Sequence, residues 1–340
     1  MTLLEVNDLH VVYSQSNGPD VHAVRGVSFE FDENETFGLV GESGCGKTTV
    51  ANAILRSLPD NGRVTEGEII FDGQNLIDLS EEEIRDLRWE KLSMIPQSAM
   101  ASLNKVYTVG TQIREAIQAH REDVSDDEAI DRARELLEMV GIDADRVSSY
   151  PHELSGGMRQ RAIIAMALAL DPNLVVADEP TTALDVIIQG QILHRIRQLQ
   201  NELGIAMLMI THDISVVAET CDKVGVMYGG ELMEVGTTYD IFDDAHHPYT
   251  LGLQNGFPSI EGETQDLVSI PGAPPDLSDP PSGCPFVDRC PFATGACTQP
   301  LPREELDDGH FVRCHEPIPY EEMREQSGRR EIWQSDTPSI

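Results

Sequence analysis

The chain has 340 residues, of which 59 are acidic and 24 are basic, giving a formal net charge of −35 at pH 7. Such a surface repels nucleic acid and anionic lipid, which argues against a direct partner with a polyphosphate backbone. Acidity spread along the whole chain predicts a protein adapted to concentrated salt, where self-repulsion is screened.

No apolar run approaches the roughly 18 residues that a membrane-spanning helix requires. The first residues, Met1–Val6, lack the features of a signal peptide. We therefore expect a soluble chain in the cytoplasm, with any membrane role acting through a partner. The length allows one large domain with an appendage, or two domains.

The chain begins with strand patterns and a glycine-rich loop. Leu3–Tyr13 and Val27–Phe31 predict paired strands, and Glu68–Phe71 predicts a further one. An apolar strand at Phe37–Val40 leads into a loop that fits the phosphate-binding pattern G-x-x-x-x-G-K-[ST], and a helix follows at Val50–Leu55. The loop consists of Gly41, Glu42, Ser43, Gly44, Cys45, Gly46, Lys47, Thr48 and Thr49.

These residue types suit a nucleoside polyphosphate. Glycines let backbone N–H groups converge on phosphate oxygens, and the N-terminus of the following helix favours anions. Lys47 adds a positive charge for the β- and γ-phosphates, and the hydroxyl of Thr48 can ligate Mg²⁺.

Helices and strands then alternate. Capping boxes at Ser80–Glu83 and Ser125–Glu128 predict helix starts, the second within a helical module from about Val109 to Val147. Short apolar runs predict buried parallel strands, so the pattern indicates an α/β fold with a mostly parallel sheet. The predicted strands are Ser93–Pro96, Leu174–Ala177, Ala206–Ile210 and Val224–Tyr228, and the other predicted helices run from Ser80 to about Trp89, from Leu154 to about Leu170, and over Val186–Glu202.

An acidic pair, Asp178-Glu179, follows directly on the strand at Leu174–Ala177. An aspartate there can hold Mg²⁺ through water, and a glutamate beside it can orient or deprotonate a water that attacks a phosphate. Ser155-Gly156-Gly157 opens another helix, and a serine with exposed N–H groups at a helix start forms a further anion site. The sequence thus predicts two separate elements that recognise phosphate.

Together these motifs resemble the ATP-binding subunits of ABC transporters, over about residues 1–245. In that family an LSGGQ-type signature of one subunit closes over the ATP held by the phosphate loop of the other. The resemblance implies a P-loop NTPase of the ABC-ATPase fold, with a mostly parallel core sheet, an antiparallel β subdomain and a helical subdomain at about residues 98–165. The signature is here Leu154, Ser155, Gly156, Gly157 and Met158, with Met in place of the more usual Gln.

The resemblance also implies roles for single residues. Tyr13 is similar to the aromatic residue that stacks on adenine, Gln97 to the residue that senses Mg²⁺ and the attacking water, and His212 to the switch histidine that contacts the γ-phosphate. Ala183-Leu184-Asp185 resembles the D-loop, with Asp185 at the dimer seam. Catalysis is thereby assigned to Glu179, His212, Gln97 and Lys47, and Mg²⁺ to Thr48, Gln97 and Asp178.

Two further segments are similar to the dipeptide/oligopeptide (and nickel) importer ATPases. These are Ala101–Asn104 with the following Thr108–Gly110, and His247–Thr250, at which the extra C-terminal region of that group begins. The resemblance implies that the chain powers peptide import, with oligosaccharides or nickel as alternative cargo. Asn104-Lys105 replaces the usual Asn-Pro in the segment that docks the membrane subunits. A soluble ABC ATPase of DNA repair or translation is a distant alternative, because the chain lacks a coiled-coil insertion, a second cassette or a basic face.

The implied partners are a related but distinct ATPase subunit, two multi-span membrane subunits and an external substrate-binding protein, with no nucleic acid. The implied place is the cytoplasmic face of the membrane. We expect a nucleotide-binding domain at residues 1–247, a loop-rich C-terminal extension at 248–320, and a polar, frayed tail at 321–340.

The extension holds four cysteines in the spacing C-x5-C-x6-C-x16-C: Cys284, Cys290, Cys297 and Cys314. Four thiolates suit a [4Fe–4S] cluster or a zinc ion, and unliganded thiols are the third possibility. Proline follows two of the four, as in some iron–sulfur sequences, and the C-x2-C pairs of structural zinc are absent. Some peptide-importer ATPases resemble this chain in carrying a cluster there, which favours the cluster.

Overall fold

The computed structural model describes residues 1–97, 102–182, 184–256, 270–307 and 309–334. Within these ranges no helix is both long and apolar enough to cross a bilayer. The strands are β1 (Thr2–Tyr13), β2 (Val21–Asp32), β3 (Thr36–Val40), β4 (Gly62–Phe71), β5 (Gln74–Asn75), β6 (Leu92–Ile95), β7 (Leu174–Asp178), β8 (Ala206–Thr211), β9 (Lys223–Tyr228), β10 (Glu231–Thr237), β11 (Glu304–Asp307) and β12 (His310–Val312). The helices are α1 (Lys47–Ile54), α2 (Glu81–Leu87), α3 (Val109–Gln118), α4 (Asp126–Met139), α5 (Gly156–Ala167), α6 (Val186–Leu203), α7 (Ile214–Thr220), α8 (Thr238–Asp243), α9 (Pro248–Asn255), α10 (Tyr320–Ser327) and α11 (Arg330–Gln334).

The chain forms two compact units, each assembled from several segments. The first unit consists of Met1–Leu3, Asp32–Thr36 and Leu76–Ile210. The second unit consists of Leu4–Phe31, Phe37–Asn75 and Thr211–Ile340.

The first unit contains a parallel sheet in which β7 lies between β6 and β8. Every residue of β7 and β8 is buried, as their apolar sequences predict. Helices α2 and α4 begin after Ser80 and Ser125, whose hydroxyls accept the N–H of Glu83 and Glu128. Both predicted capping boxes are confirmed.

The second unit contains an antiparallel sheet in the order β2-β1-β4-β5, so the predicted pairing of the first two strands is confirmed. In the same unit β9 pairs in parallel with β3 and antiparallel with β10. Strand β12 then pairs with β10 and with β11. The strands β10, β11 and β12 were not predicted from the sequence.

The segment expected to be a frayed tail is instead helical as far as residue 334. Helices α10 and α11 bury Met323 and Trp333, and the indole N–H of Trp333 donates to the carbonyl of Ser327 at 2.8 Å. The expectation was wrong for these residues, because burial of the apolar side chains of Met323 and Trp333 stabilises this short, mostly polar segment against the rest of the unit.

A fully buried glutamate, Glu234 of β10, organises the entry into α9. Its carboxylate accepts the N–H of His246 at 2.7 Å, the N–H of His247 at 3.1 Å and Nε2 of His310 at 3.2 Å. Nδ1 of His247 in turn accepts the N–H of Tyr249 at 3.0 Å and so caps α9. The ring of His247 must therefore stay neutral, with Nδ1 unprotonated, for this cap to form.

Burial, helped by the charge of Arg313, lowers the pKa of His247 from 6.5 to about 3. Between these values the unfolded chain binds a proton that the folded chain excludes, so stability falls as the pH drops below about 6.5, by ~1.4 kcal/mol per pH unit. His247→Asn, whose Oδ1 can still accept the N–H of Tyr249, should remove this component. We expect the wild type to lose about 2 kcal/mol more than the variant between pH 7 and 5 in chemical denaturation. Equal pH dependence of the two proteins would contradict the assignment.

Candidate active site

The glycine-rich loop of the second unit connects β3 to α1, as predicted. All residues of β3 are buried, whereas Ser43, Gly44 and Thr48 on the loop are exposed. Gly46 precedes the first helical residue at φ 108°, and a Cβ there would lie 2.3 Å from the carbonyl oxygen of Ala23. Only glycine fits this approach, so the tight turn into the N-terminus of α1, an end that favours anions, depends on Gly46.

The side chain of Lys47 folds back over the loop. Its Nζ donates to the carbonyl of Gly41 at 2.7 Å and to the carbonyl of Glu42 at 2.9 Å, and the residue is only 6% exposed. This places the ammonium group at the loop, where a polyphosphate would compete with two neutral carbonyls for its N–H donors.

Two other predicted residues lie in the second unit. The hydroxyl of Tyr13, at the end of β1, donates to Oγ1 of Thr49 at 3.3 Å, so the structure brings the predicted adenine-stacking residue to the end of the loop. His212 follows β8 and is exposed, directly before Asp213, whose carboxylate caps α7.

The predicted catalytic carboxylate, Glu179, follows β7 in the first unit. Its Oε2 accepts Nε2 of Gln97 at 2.9 Å and the hydroxyl of Thr182 at 2.9 Å. Its backbone takes φ 46°, a left-handed conformation that is costly for a residue with a Cβ. Strained backbone of this kind clusters at functional sites, and here it fixes the carboxylate beside Gln97. Asp178, the last residue of β7, is 1% exposed.

The signature segment begins α5. The hydroxyl of Ser155 accepts the N–H of Met158 at 3.2 Å, while Leu154 is buried. A Cβ at Gly157 would lie 2.7 Å from Cγ2 of Ile188, so the second glycine lets α5 approach the start of α6. Asp185 caps α6 by accepting the N–H of Ile188 at 3.0 Å. Ala183, part of the predicted D-loop, lies outside the described residues, as do residues 98–101 of the predicted docking segment.

Comparison with known proteins decides the family. The sequence matches the model for ABC transporters over residues 24–182 and that for the oligopeptide/dipeptide transporter C-terminal region over residues 233–297. It is 48% identical over 318 residues to a probable peptide ABC transporter ATP-binding protein of Sinorhizobium fredii, covering 92% of this chain and 94% of that protein. It is 44% identical over 316 residues to the dipeptide transport ATP-binding protein DppD of Bacillus subtilis, with coverage of 92% and 94%. This chain belongs to the ABC transporter ATP-binding proteins of the oligopeptide/dipeptide type.

Solved structures agree with this family. A dimeric ATP-binding cassette in a post-hydrolysis state, bound to ADP and Pi, is 28% identical with a TM-score of 0.62, covering 69% of this chain and 98% of that one. The cassette cbiO1 of Clostridium perfringens is 28% identical with a TM-score of 0.61, covering 72% and 91%. The predicted ABC-ATPase fold is confirmed, and this ABC protein is an ATPase that binds ATP.

The four cysteines of the extension are buried free thiols in the second unit. The N–H of Cys284 donates to the carbonyl of Cys297 at 2.8 Å. Burial raises the pKa of Cys284 and of Cys314 to about 12 and that of Cys290 well above its usual value, and negative charge on the neighbouring cysteines raises each further. Among the described residues only Asp8, His10 and Glu66 place three potential ligand atoms within 4.8 Å of one another. The thiols are therefore not as closely grouped as the ligands of one zinc ion, and neither the structure nor the comparisons show an iron–sulfur cluster.

Three contacts of these sites were missed from the sequence. Thr182 donates to the carboxylate of Glu179, Tyr249 accepts the N–H of Glu42 at 2.9 Å, and Arg289 of the extension pairs with the carboxylate of Glu42. No motif marks Thr182 or Arg289, and Tyr249 was noted only as part of the segment at which the extension begins.

Proposed function

We propose that this protein is the ATP-hydrolysing subunit of an importer that carries peptides across the cytoplasmic membrane. The observation that carries the activity is the Glu179 carboxylate, held by Gln97 and Thr182 at the end of a buried strand. Peptide cargo rests on relatives that are named for peptide, dipeptide and oligopeptide transport and match more than nine-tenths of the chain.

Hydrolysis in this proposal depends on positioning and electrostatics, as phosphoryl transfer generally does. Lys47 and the N–H groups of the loop bind the phosphates, Tyr13 stacks on adenine, and His212 contacts the γ-phosphate. Glu179 orients a water and accepts its proton while Gln97 keeps the carboxylate in place. Thr48, Gln97 and Asp178 offer the oxygen ligands that Mg²⁺ prefers, and the ion would neutralise charge on the phosphates.

Each nucleotide would be shared by two ATPase subunits, bound by the loop of one and by Ser155–Gly157 of the other. The exposed position of Ser155, directly before α5, supports this, because the N-terminus of a helix favours anions. Beside Asp185 two large apolar side chains, Val186 and Ile187, are 84% and 74% exposed, as expected of residues that a partner covers. We propose a related but distinct ATPase as that partner.

The membrane subunits would dock near Gln97–Leu103 in the first unit. A cavity of about 230 Å³ lies there, lined mainly by apolar side chains that include Trp89, Leu103 and Met166. Val106 and Tyr107 follow and are 76% and 47% exposed. An apolar cavity, with exposed apolar side chains a few residues further along the chain, fits a short helix of a membrane protein. The chain would then sit at the cytoplasmic face, with residues 1–247 as nucleotide-binding domain and the extension beginning at residue 248.

Reconstitution tests the importer. The chain, its partner ATPase and two multi-span membrane subunits from neighbouring genes should copurify, and a peptide-loaded external binding protein should stimulate ATP hydrolysis. If only oligosaccharide or nickel stimulates ATP hydrolysis, that compound is the cargo and not peptide. If the chain does not copurify with the membrane subunits, a soluble ATPase is favoured. Assays belong in molar KCl, because the net charge of −35 predicts adaptation to concentrated salt. Stability that does not fall on dialysis against low salt would refute that adaptation.

We also propose that the four extension cysteines hold a [4Fe–4S] cluster. Four buried thiols in the extension are a donor set that soft metals bind. Burial raises the pKa of Cys284, Cys290 and Cys314, so without a metal these three stay protonated. A cluster spreads its ligands over four irons and so needs a less compact arrangement than one zinc ion.

Protein purified without oxygen should be brown and contain about four irons per chain. Cys297→Ser should lose this iron, whereas Cys221→Ser, which alters a buried cysteine outside the four, should retain it. A wild-type protein that is colourless and free of iron when purified without oxygen would rule the cluster out. If such a protein contained one zinc ion per chain, the site would be assigned to zinc instead.

A further inference from the structure

The extension contacts the phosphate loop through one guanidinium group. Within the second unit, Arg289 Nη1 donates to Oε2 of Glu42 at 2.8 Å and Nη2 donates to Oε1 at 2.9 Å, a bidentate pair. Glu42 is the second residue of the loop, whereas Arg289 lies 247 residues further along the chain, immediately before Cys290. The side chain of Arg289 is 6% exposed.

All five N–H donors of this guanidinium have partners. Besides Glu42, Nη1 donates to the hydroxyl of Tyr228 at 3.0 Å, Nε to the carbonyl of Pro271 at 2.7 Å and Nη2 to the carbonyl of Ile270 at 3.3 Å. Its Cζ lies 5.5 Å from the ring centroid of Tyr228. A charge this thoroughly hydrogen-bonded holds one position, so it presents a fixed anchor to the loop.

Glu42 is held at each of its polar groups. Its carboxylate binds Arg289, its N–H donates to the hydroxyl of Tyr249 at 2.9 Å, and its carbonyl accepts Nζ of Lys47 at 2.9 Å. Tyr249 is fully buried and, like Arg289, belongs to the expected extension. The position of the loop beside Lys47 is therefore set from the extension.

The ion pair between Arg289 and Glu42 also sets the net charge at the phosphate loop, where a nucleotide would bind. Glu42 is a carboxylate within the loop that is assigned to the phosphates, and its side chain is only 25% exposed. Unpaired, it would repel a triphosphate in a region where water screens poorly. Paired with Arg289, its charge is cancelled.

We propose that Arg289 is a positioning residue for ATP binding: through Glu42 it fixes the phosphate loop and neutralises the one carboxylate in it, which makes nucleotide affinity depend on the C-terminal extension. The proposal rests on the proposed nucleotide site. Because the backbone of Arg289 leads directly into Cys290, whatever orders the cysteine module also orders this anchor.

The test compares Arg289→Met, Glu42→Gln and the double variant in the assembled complex, by the KM for ATP, kcat and thermal midpoint. Arg289→Met should raise the KM about tenfold with kcat within about twofold, because it leaves Glu42 charged and unpaired. Removing that charge in the double variant should return the KM to the value of Glu42→Gln. Arg289→Lys, which keeps the charge, should raise the KM less than Arg289→Met does. Arg303→Met, which breaks an exposed pair with Glu305 on the same extension, should leave the KM unchanged.

An unchanged KM in Arg289→Met would overturn the proposal. So would a double variant at least as impaired as Arg289→Met, because a merely structural role predicts no rescue by Glu42→Gln. Lys47→Ala distinguishes a failure of the proposed nucleotide site from a failure of the role of Arg289. If it retains wild-type ATP affinity, the nucleotide site itself is misassigned; if it loses affinity while Arg289→Met is normal, only the role of Arg289 fails.

Discussion

Replacing Glu179 with Gln should reduce the kcat for ATP hydrolysis by about 10³-fold, the scale on which a positioned general base acts. The amide can still accept hydrogen bonds from Gln97 and Thr182 through its oxygen, so the local geometry should survive. It cannot accept a proton from water at neutral pH. ATP binding should persist, and the variant mixed with its partner ATPase should accumulate as a closed ATP-bound dimer, visible by gel filtration with ATP and Mg²⁺.

A matched control is Glu202→Gln, which neutralises an exposed carboxylate on α6 that is paired only loosely with Arg195, at 3.8 Å. It should hydrolyse ATP as the wild type does. Thr182→Val tests the positioning contact and should lower kcat by less than Glu179→Gln, since the carboxylate remains. Wild-type turnover in Glu179→Gln would refute the assigned role of the carboxylate.

Much of the fold could be predicted because its signals are local. Ser80 and Ser125 each precede a glutamate by three residues, and both start helices where the capping boxes place them. The end of the first of these helices differs from the prediction: α2 stops at Leu87, two residues early, where Arg88 takes an extended conformation with ψ 140°.

Strand β10 shows why the rest could not be predicted. It contains Glu231 and Glu234, both buried, which is not the composition of a core strand. Their partners come from distant parts of the chain, Arg25 and Arg313 for the first and His310 for the second. A pattern within one segment cannot reveal a charge that is paired across the fold.

The candidate site likewise contains one part that a local motif predicts and one part that only the fold brings together. The loop from Gly41 to Thr49 is a local motif whose backbone geometry demands its glycines, and the sequence predicts it directly. Arg289 matters only because the fold brings it to Glu42, and a lone arginine in a proline-rich segment has no spacing that points there.

Lys47→Ala should lower ATP affinity by about 100-fold, as expected when a buried charge that faces a phosphate is removed. The loss has two causes: the positive charge disappears, and the carbonyls of Gly41 and Glu42, now without the ammonium donor, turn their negative ends towards the phosphates. Equilibrium binding of a fluorescent ATP analogue measures it, with Lys105→Ala, which removes an exposed lysine of the first unit, as the control.

The two variants then order the steps. If nucleotide must bind before the dimer closes, the double variant Lys47→Ala/Glu179→Gln should not pair with the partner ATPase at ATP concentrations at which Glu179→Gln does. A closed dimer in the double variant would mean that the loop lysine is dispensable for closure and that the N–H groups of α1 and α5 suffice. If the double variant forms no closed dimer, Lys47 must contact the phosphates before the signature segment of the other subunit does.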